Sequence, residues 1–408
     1  MKILLVNASD AKGGAAIVAH RLLHALNAQE GVQAKMLVAE KSTDDENVTA
    51  LPKRWWLKKA LDRMVIWAFN GFTKQGLWLT DGGFFGNDIT KRREFQEADV
   101  IHLHWVNQGF LGLKDIKKIL KSGKKVVWTM HDMWPATAVC HHAGNCDKYK
   151  TTGCKCCEQL RFPYNEDFSA KVWKKKSDYY RNSNIHFVAC SSWMADHERQ
   201  SLLTRHLPVT VIPNVAPVSD VHGHSKLNTG KNIQTDATNR RTICFAAAKI
   251  DDKIKGFDDL LEALNHIKHR KDVELVLIGG ISDKSLLNNI PIPYRYLGYQ
   301  RDMMSIYAAA DCVVNCSRYE TLPTTIVEAQ SVGTTPVAYS HSGAIDLITD
   351  NKTGYLAEYR NTESLAKAIE RAIDNPLDAG FLRKHVEDSY NENIIAHRHI
   401  EIYCSNRN

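Results

Sequence analysis

Two carboxylates, Glu320 and Glu328, stand eight residues apart in Ser317-Arg318-Tyr319-Glu320-Thr321-Leu322-Pro323-Thr324-Thr325-Ile326-Val327-Glu328. Glu320 follows a short apolar run, Cys312 to Asn315, that reads as a strand, and Glu328 falls inside a helix that Pro323 is suited to open. At such a junction carboxylates hold sugar hydroxyls while the amides of Thr324 and Thr325 at the helix start meet an anion. Two cations, Lys249 and Lys255, lie upstream. Each residue alone would read as solvated surface; their joint spacing is what points to chemistry. A glycosidase also needs two carboxylates flanking its bond, but it has no use for a phosphate cradle, so transfer is favoured over hydrolysis.

The first half offers other groups. Gly13-Gly14 sits between a first strand, Ile3 to Val6, and a helix-like stretch, Ala15 to Leu26, where backbone amides can approach a phosphate; a plain turn is the alternative. His131 follows the strand Lys125 to Thr129, and a hydrogen-bonded structural histidine is its bland reading. His102 and His104 share a face of one strand, which suits packing. Cys140-x5-Cys146-x7-Cys154-x2-Cys157, with Cys156 extra, has spacing fit for a structural tetrahedral zinc; disulfides or unligated thiols are the alternatives. From Lys53 to Trp67, helical periodicity puts Trp56, Leu57, Ala60, Leu61, Met64 and Trp67 on one arc, with Lys58, Lys59, Asp62 and Arg63 opposite. Such a helix can lie in an anionic membrane interface or pack on a sheet. Lys171 and Lys174 to Lys176 add a second basic run.

The elements that must position these groups alternate short β-branched runs with amphipathic stretches, the pattern of parallel sheets wrapped by helices. With 408 residues and 44% hydrophobic composition, the expectation is two doubly wound α/β domains. The boundaries expected are 1–215 for an N-terminal acceptor domain carrying the cysteine loop 140–157, a polar linker at 216–241, a nucleotide-sugar domain at 242–385, and a helix at 386–408 packing back on the first domain. Up to residue 215 there are 31 Lys+Arg against 21 Asp+Glu, although the whole chain is only +7, so the first half is the basic one. No secretory signal or run of ~18 apolar residues is present, so a cytoplasmic chain is expected, peripheral at the inner face of the cytoplasmic membrane if the Trp-bearing helix docks there.

The Glu-x7-Glu stretch belongs to an ordered series: Gly13-Gly14-Ala15, Asp99-Val100-Ile101-His102-Leu103-His104, Val211-Ile212-Pro213-Asn214, Lys255-Gly256-Phe257, Gly298-Tyr299 ahead of Tyr307-Ala308-Ala309-Ala310-Asp311, Ser342-Gly343 and Gly354-Tyr355. Over almost the whole chain this resembles the retaining, nucleotide-sugar-dependent glycosyltransferases of family 4, including bacterial exopolysaccharide and colanic-acid-type enzymes, some with a similar cysteine-bearing loop. The resemblance implies the GT-B architecture, two Rossmann-like domains facing each other across a cleft, and hexosyl transfer with retention and without a catalytic cofactor. It implies that Glu320 touches the sugar, Glu328 the ribose hydroxyls, and Lys255 and Lys249 the diphosphate. Gly13 and Gly14 would line the donor site, and His131 would contact the donor sugar or the acceptor. The donor would be a UDP- or GDP-sugar and the acceptor a saccharide or lipid-linked saccharide in bacterial surface polysaccharide synthesis. Two departures are visible: Lys249 stands where the family usually has Arg, and Asp346 where it usually has Glu. A GT-B epimerase or phosphorylase is the rival enzyme. A zinc-containing nucleic-acid binder is the non-enzymatic rival, and it leaves Lys255 and the paired acids unexplained; no nucleic-acid partner is expected.

Overall fold

The computed structural model describes residues 1–74, 76–216 and 240–405, and most of the expected linker, from 217 to 239, lies outside the described residues. The chain divides into unit 1, Met1–Pro213 with Glu392–Asn408, and unit 2, Asn214–Asn391.

Unit 1 contains β1 (Lys2–Ser9), α1 (Gly14–Asn27), β2 (Gln33–Glu40), β3 (Val48–Ala50), α2 (Trp55–Phe69), α3 (Arg93–Glu97), β4 (Val100–Leu103), α4 (Leu113–Leu120), β5 (Lys125–Met130), α5 (Lys148–Thr151), α6 (Phe168–Tyr180), β6 (Ile185–Ala189), α7 (Ser192–Gln200) and β7 (Val209–Val211). Its strands pair in parallel in the order β3-β2-β1-β4-β5-β6-β7. Ile3 to Val6, all of β4 and Val126 to Met130 are buried, as strands covered on both faces must be.

Unit 2 contains β8 (Arg241–Lys249), α8 (Phe257–His266), β9 (Val273–Gly280), β10 (Tyr294–Gly298), α9 (Met303–Ala309), β11 (Cys312–Asn315), α10 (Thr324–Ser331), β12 (Thr335–Tyr339), α11 (Ala344–Leu347), β13 (Tyr355–Ala357), α12 (Thr362–Asp374) and α13 (Ala379–Tyr390). Its sheet is parallel in the order β10-β9-β8-β11-β12-β13. α12 shows how sequence makes a covering helix: Asn361 caps it by accepting from Ser364 N, and Leu365, Ala368, Ile369, Ala372 and Ile373 form its buried stripe.

The single terminal helix expected from residue 386 is two helices. Asn391 adopts an extended conformation (φ −67°, ψ 160°) that ends α13, and α14 (Glu392–Cys404) then joins unit 1. There α14 packs against α1, and Arg398 Nη2 donates to Val211 O at 2.6 Å. Periodicity ran through the break because residues on both sides are apolar at helical spacing.

Candidate active site

In open parallel sheets, ligand-binding loops follow the carboxyl ends of the strands where the strand order reverses. In unit 2 that point lies between β8 and β11. After β8, Asp252 Oδ1 accepts from Ile254 N at 3.0 Å and starts a tight turn, Lys253–Lys255. Gly256 has φ 72°, and a Cβ there would lie 2.1 Å from Cys316 O, so only glycine lets this turn touch the loop after β11. The two loops are fastened by Arg318 N to Ile254 O (2.7 Å) and by the Arg318 guanidinium on Asp258 and Asp259 (2.8 and 2.6 Å).

This fastening sets Lys255 Nζ 2.8 Å from Glu320 Oε2, each side chain about a quarter exposed (28% and 24%). Burial works to lower the Lys255 pKa, but the Glu320 carboxylate, with Asp252, outweighs it and the net shift is upward. The ammonium therefore keeps its charge. Glu320 is pinned through its backbone, its N–H donating to Ser342 Oγ (3.3 Å) and its carbonyl accepting from Gly343 N (3.0 Å). A Cβ at Gly343 would meet Thr321 O at 2.1 Å.

α10 starts at Thr324 with Pro323 as its cap residue, which places the Thr324 and Thr325 amides in the first turn, where helix amides lack intrahelical acceptors. Thr325 Oγ1 accepts from Asn315 Nδ2 at 3.0 Å, tying the helix start to the end of β11. Glu328 lies one turn further along, half-buried, with Tyr307 as an electrostatic neighbour. Lys249 ends β8 and is exposed, while Tyr299 OH donates to the adjacent Ala248 O at 2.8 Å. Unit 2 thus gathers a cation, a carboxylate and a helix start at one sheet end, an arrangement able to hold an anion beside hydroxyls.

Unit 1 carries the remaining predicted residues. Gly13 (φ 89°) caps α1, and its carbonyl accepts from Ala16 and Ile17 N; a Cβ on Gly13 or Gly14 would meet nothing within 4 Å. The positive φ, not crowding, is what requires glycine at 13. His131 follows β5, its Nε2 2.9 Å from His104 Nδ1, and burial lowers its pKa to about 4, so the ring is neutral near pH 7. His102 is a packing residue: its nitrogens meet Tyr403 OH (2.7 Å) and Thr129 Oγ1 (2.8 Å). Next to His131, Asp132 accepts from Trp105 Nε1, Trp134 N and His141 Nδ1 at 2.7 to 2.8 Å. Burial would raise the Asp132 pKa, but His141 and Trp134 N–H bring it down to about 2. Sequence reading assigned Asp132, His104 and His141 no such role, because contacts across strands and loops leave no spacing signal.

Three other expectations change. On α2 the apolar arc faces outward, with Trp56, Leu57, Leu61, Met64 and Trp67 exposed, while Asp62 and Arg63, placed opposite that arc, are buried. Arg63 Nη2 contacts Asp62 and Asp81 at 2.6 and 2.7 Å, and Nη1 donates to Leu77 O and Thr80 O. Lys176, counted in the second basic run, is fully buried, its Nζ donating to Trp134 O and Thr137 O. Cys140, Cys146, Cys154 and Cys157 are free thiols here, so the disulfide alternative is not what the structure holds. Among the described residues, the set of ligand-type side chains with all donor atoms within 4.8 Å is His20, His24 and Asp45, a His-x3-His pair on α1 that its helical spacing could have revealed.

Residues 12–219 match the family model "Glycosyltransferase Family 4" and residues 240–375 match "Glycosyl transferases group 1". The chain is 23% identical over 374 residues to the putative colanic acid biosynthesis glycosyl transferase WcaC of Escherichia coli K12, covering 84% of each protein. Its fold is similar to that of sucrose-phosphate synthase from Thermosynechococcus elongatus (TM-score 0.68, 16% identity, 99% and 98% of the two chains). It is also similar to that of Anabaena HepE in complex with UDP-glucose (TM-score 0.66, 16% identity, 98% of each chain). With two parallel α/β sheets of GT-B type and a family model spanning more than half its length, this chain belongs to the family 4 glycosyltransferases.

Proposed function

We propose that the chain is a retaining hexosyltransferase that moves a sugar from a UDP- or GDP-sugar to a saccharide acceptor, lipid-linked and held at a membrane, in bacterial surface polysaccharide synthesis. The observation that carries this reading is the Lys255–Glu320 contact beside the start of α10. Breaking the bond to a nucleoside diphosphate builds negative charge, and Lys255 with the Thr324 and Thr325 amides meets it where it develops; Lys249 adds a point charge. Binding the diphosphate draws Lys255 partly away from Glu320, which frees that carboxylate to hold sugar hydroxyls. Glu328 takes the ribose hydroxyls. The donor's own phosphate oxygen receives the acceptor proton on the leaving-group face, so retention needs no protein nucleophile and no catalytic metal. Gly13 and Gly14 give close backbone approach in unit 1, and neutral His131, held by His104, hydrogen-bonds the sugar or acceptor.

The membrane part rests on α2. No described helix is long and apolar enough to cross a membrane, yet α2 turns its Trp-bearing arc outward, and Lys53 and Arg54 stand exposed at its start. Apolar side chains beside basic ones fit an anionic lipid surface at the inner face of the cytoplasmic membrane. The relatives' names agree in kind, colanic acid biosynthesis for WcaC and lipopolysaccharide core biosynthesis for LpsE of Rhizobium meliloti.

The test is a transfer assay with labelled UDP- and GDP-hexoses and lipid-linked saccharide acceptors. Acceptor-dependent release of nucleoside diphosphate, with the anomeric configuration kept, is expected. Donor conversion without acceptor would make the chain an epimerase, and inversion would remove the same-face mechanism.

A further inference from the structure

We infer that His20, His24 and Asp45 form a three-ligand site for a divalent zinc-like metal ion, which fastens α1 to the connection between β2 and the edge strand β3. The site stands independently of the transfer reading. His20 and His24 lie one turn apart on α1, so both imidazoles project from one face of the helix. Asp45 comes from a separate element, the loop before β3. The two Nε2 atoms converge on a single carboxylate oxygen, Asp45 Oδ2, at 3.0 and 3.1 Å, and all three donor atoms lie within 4.8 Å of one another. Zinc bonds of about 2.0–2.2 Å to nitrogen and oxygen set tetrahedral ligands about 3.3 Å apart, so each ring is already near ligand spacing from the carboxylate. The rings meet edge to face, with centroids 4.7 Å apart and planes at 89°. By contrast, no three of the Cys140, Cys146, Cys154 and Cys157 sulfurs lie within 4.8 Å of one another.

Hydrogen bonding alone accounts poorly for this convergence. The His24 side chain is 54% exposed, and an exposed pair gains little by sharing an oxygen that His20 already contacts. An ion would bond all three groups at once. The rest of the loop is committed to holding Asp45 in place. Its Oδ1 accepts from Asn47 N (2.8 Å) and Asn47 Nδ2 (3.2 Å), and Lys41 Nζ donates to the carbonyls of Asp45 (2.6 Å) and Val48 (2.9 Å). These contacts leave Oδ2 turned to the histidines, as the outer partners of metal ligands do. Each neutral ring would give its Nε2 lone pair to the ion and carry its proton on Nδ1, so binding releases no net proton. Two imidazoles and one carboxylate suit zinc or cobalt better than calcium or magnesium, and the exposure beside His24 leaves a fourth position to water.

The experiment strips the full chain with chelator, removes the chelator, and titrates it with Zn²⁺ alone by calorimetry. Wild type should take up one more equivalent than His24→Ala or His20→Ala, and Asn47→Ala should weaken that equivalent by about 10-fold. Because His24 is half-exposed, its substitution should leave the fold intact; thermal melts check this and give a second readout. Added Zn²⁺ should raise the wild-type melting temperature and leave that of His24→Ala where it was. Co²⁺ in the same site should give the visible bands of a tetrahedral ion without thiolate charge transfer. Equal zinc uptake by wild type and His24→Ala overturns the site, as does no uptake by either. Thiolate bands on the equivalent that stabilises the chain would also overturn it, moving the ion to the cysteine loop.

Discussion

Lys255 and Glu320 touch because a positive-φ glycine and an arginine clamp bring two loops together, and neither feature depends on the ion pair itself. Glu320→Gln and Lys255→Ala should therefore reduce transfer by about 100-fold or more while leaving thermal stability within a few degrees of wild type, measured by initial rates and calorimetry. Rates near wild type would remove both residues from the site. The histidines of unit 1 make a different prediction. Burial holds His131 near 4 and His399 near 3, whereas an unfolded histidine titrates near 6.5. The unfolded chain thus binds more protons below about 6.5, and this contribution to stability is present at neutral pH and is lost as pH falls toward 4, by up to about 1.4 kcal/mol per pH unit for each ring. Melting temperature should fall between pH 7 and 5, less steeply in His399→Phe; a flat profile would contradict buried neutral rings. The placement of Glu320, Lys255 and His131 beyond strand ends was legible, because each stands after an apolar run in a recognisable pattern. His104 and Asp132 were not, since their roles come from hydrogen bonds to neighbouring strands and loops.

Periodicity gave the apolar arc of α2 but could not say which face turns inward. That is decided by Arg63, whose guanidinium satisfies Asp62, Asp81 and two carbonyls in the interior. Burial and Asp81 push the Asp62 pKa up to about 6 even against Arg63, so the charges are poorly matched once the arginine goes. Arg63→Ala should cost about 3–5 kcal/mol in denaturant unfolding of unit 1, as removal of one partner from a buried ion cluster does. A cost below about 1 kcal/mol would mean that the cluster relaxes into solvent. The outward arc predicts the reverse pattern: Trp56→Ser with Trp67→Ser should change stability by less than about 1 kcal/mol, yet abolish flotation with anionic vesicles at low salt. Unchanged flotation would rule α2 out as the docking element. At the other end of the chain, two helices read as one, because only the conformation of Asn391 separates α13 from α14.

The division of the chain into two units was legible from the repeated strand–helix alternation and the polar stretch between, and the basic excess of the first half marks the unit with the apolar arc. Less legible was how unit 1 is completed: α14 returns from the far end of the sequence to cover α1 and to hold His102 through Tyr403. Donor should stabilise the whole molecule through unit 2, by about 2.7 kcal/mol at one hundred times the dissociation constant, and that gain should vanish in Lys255→Ala. The most direct measurement is a crystal structure with a nucleoside diphosphate bound. Its phosphates should lie within hydrogen-bond distance of Lys255 Nζ and the Thr324 and Thr325 amides, with Glu328 on the ribose. A diphosphate seated away from the β8–β11 junction would contradict the site.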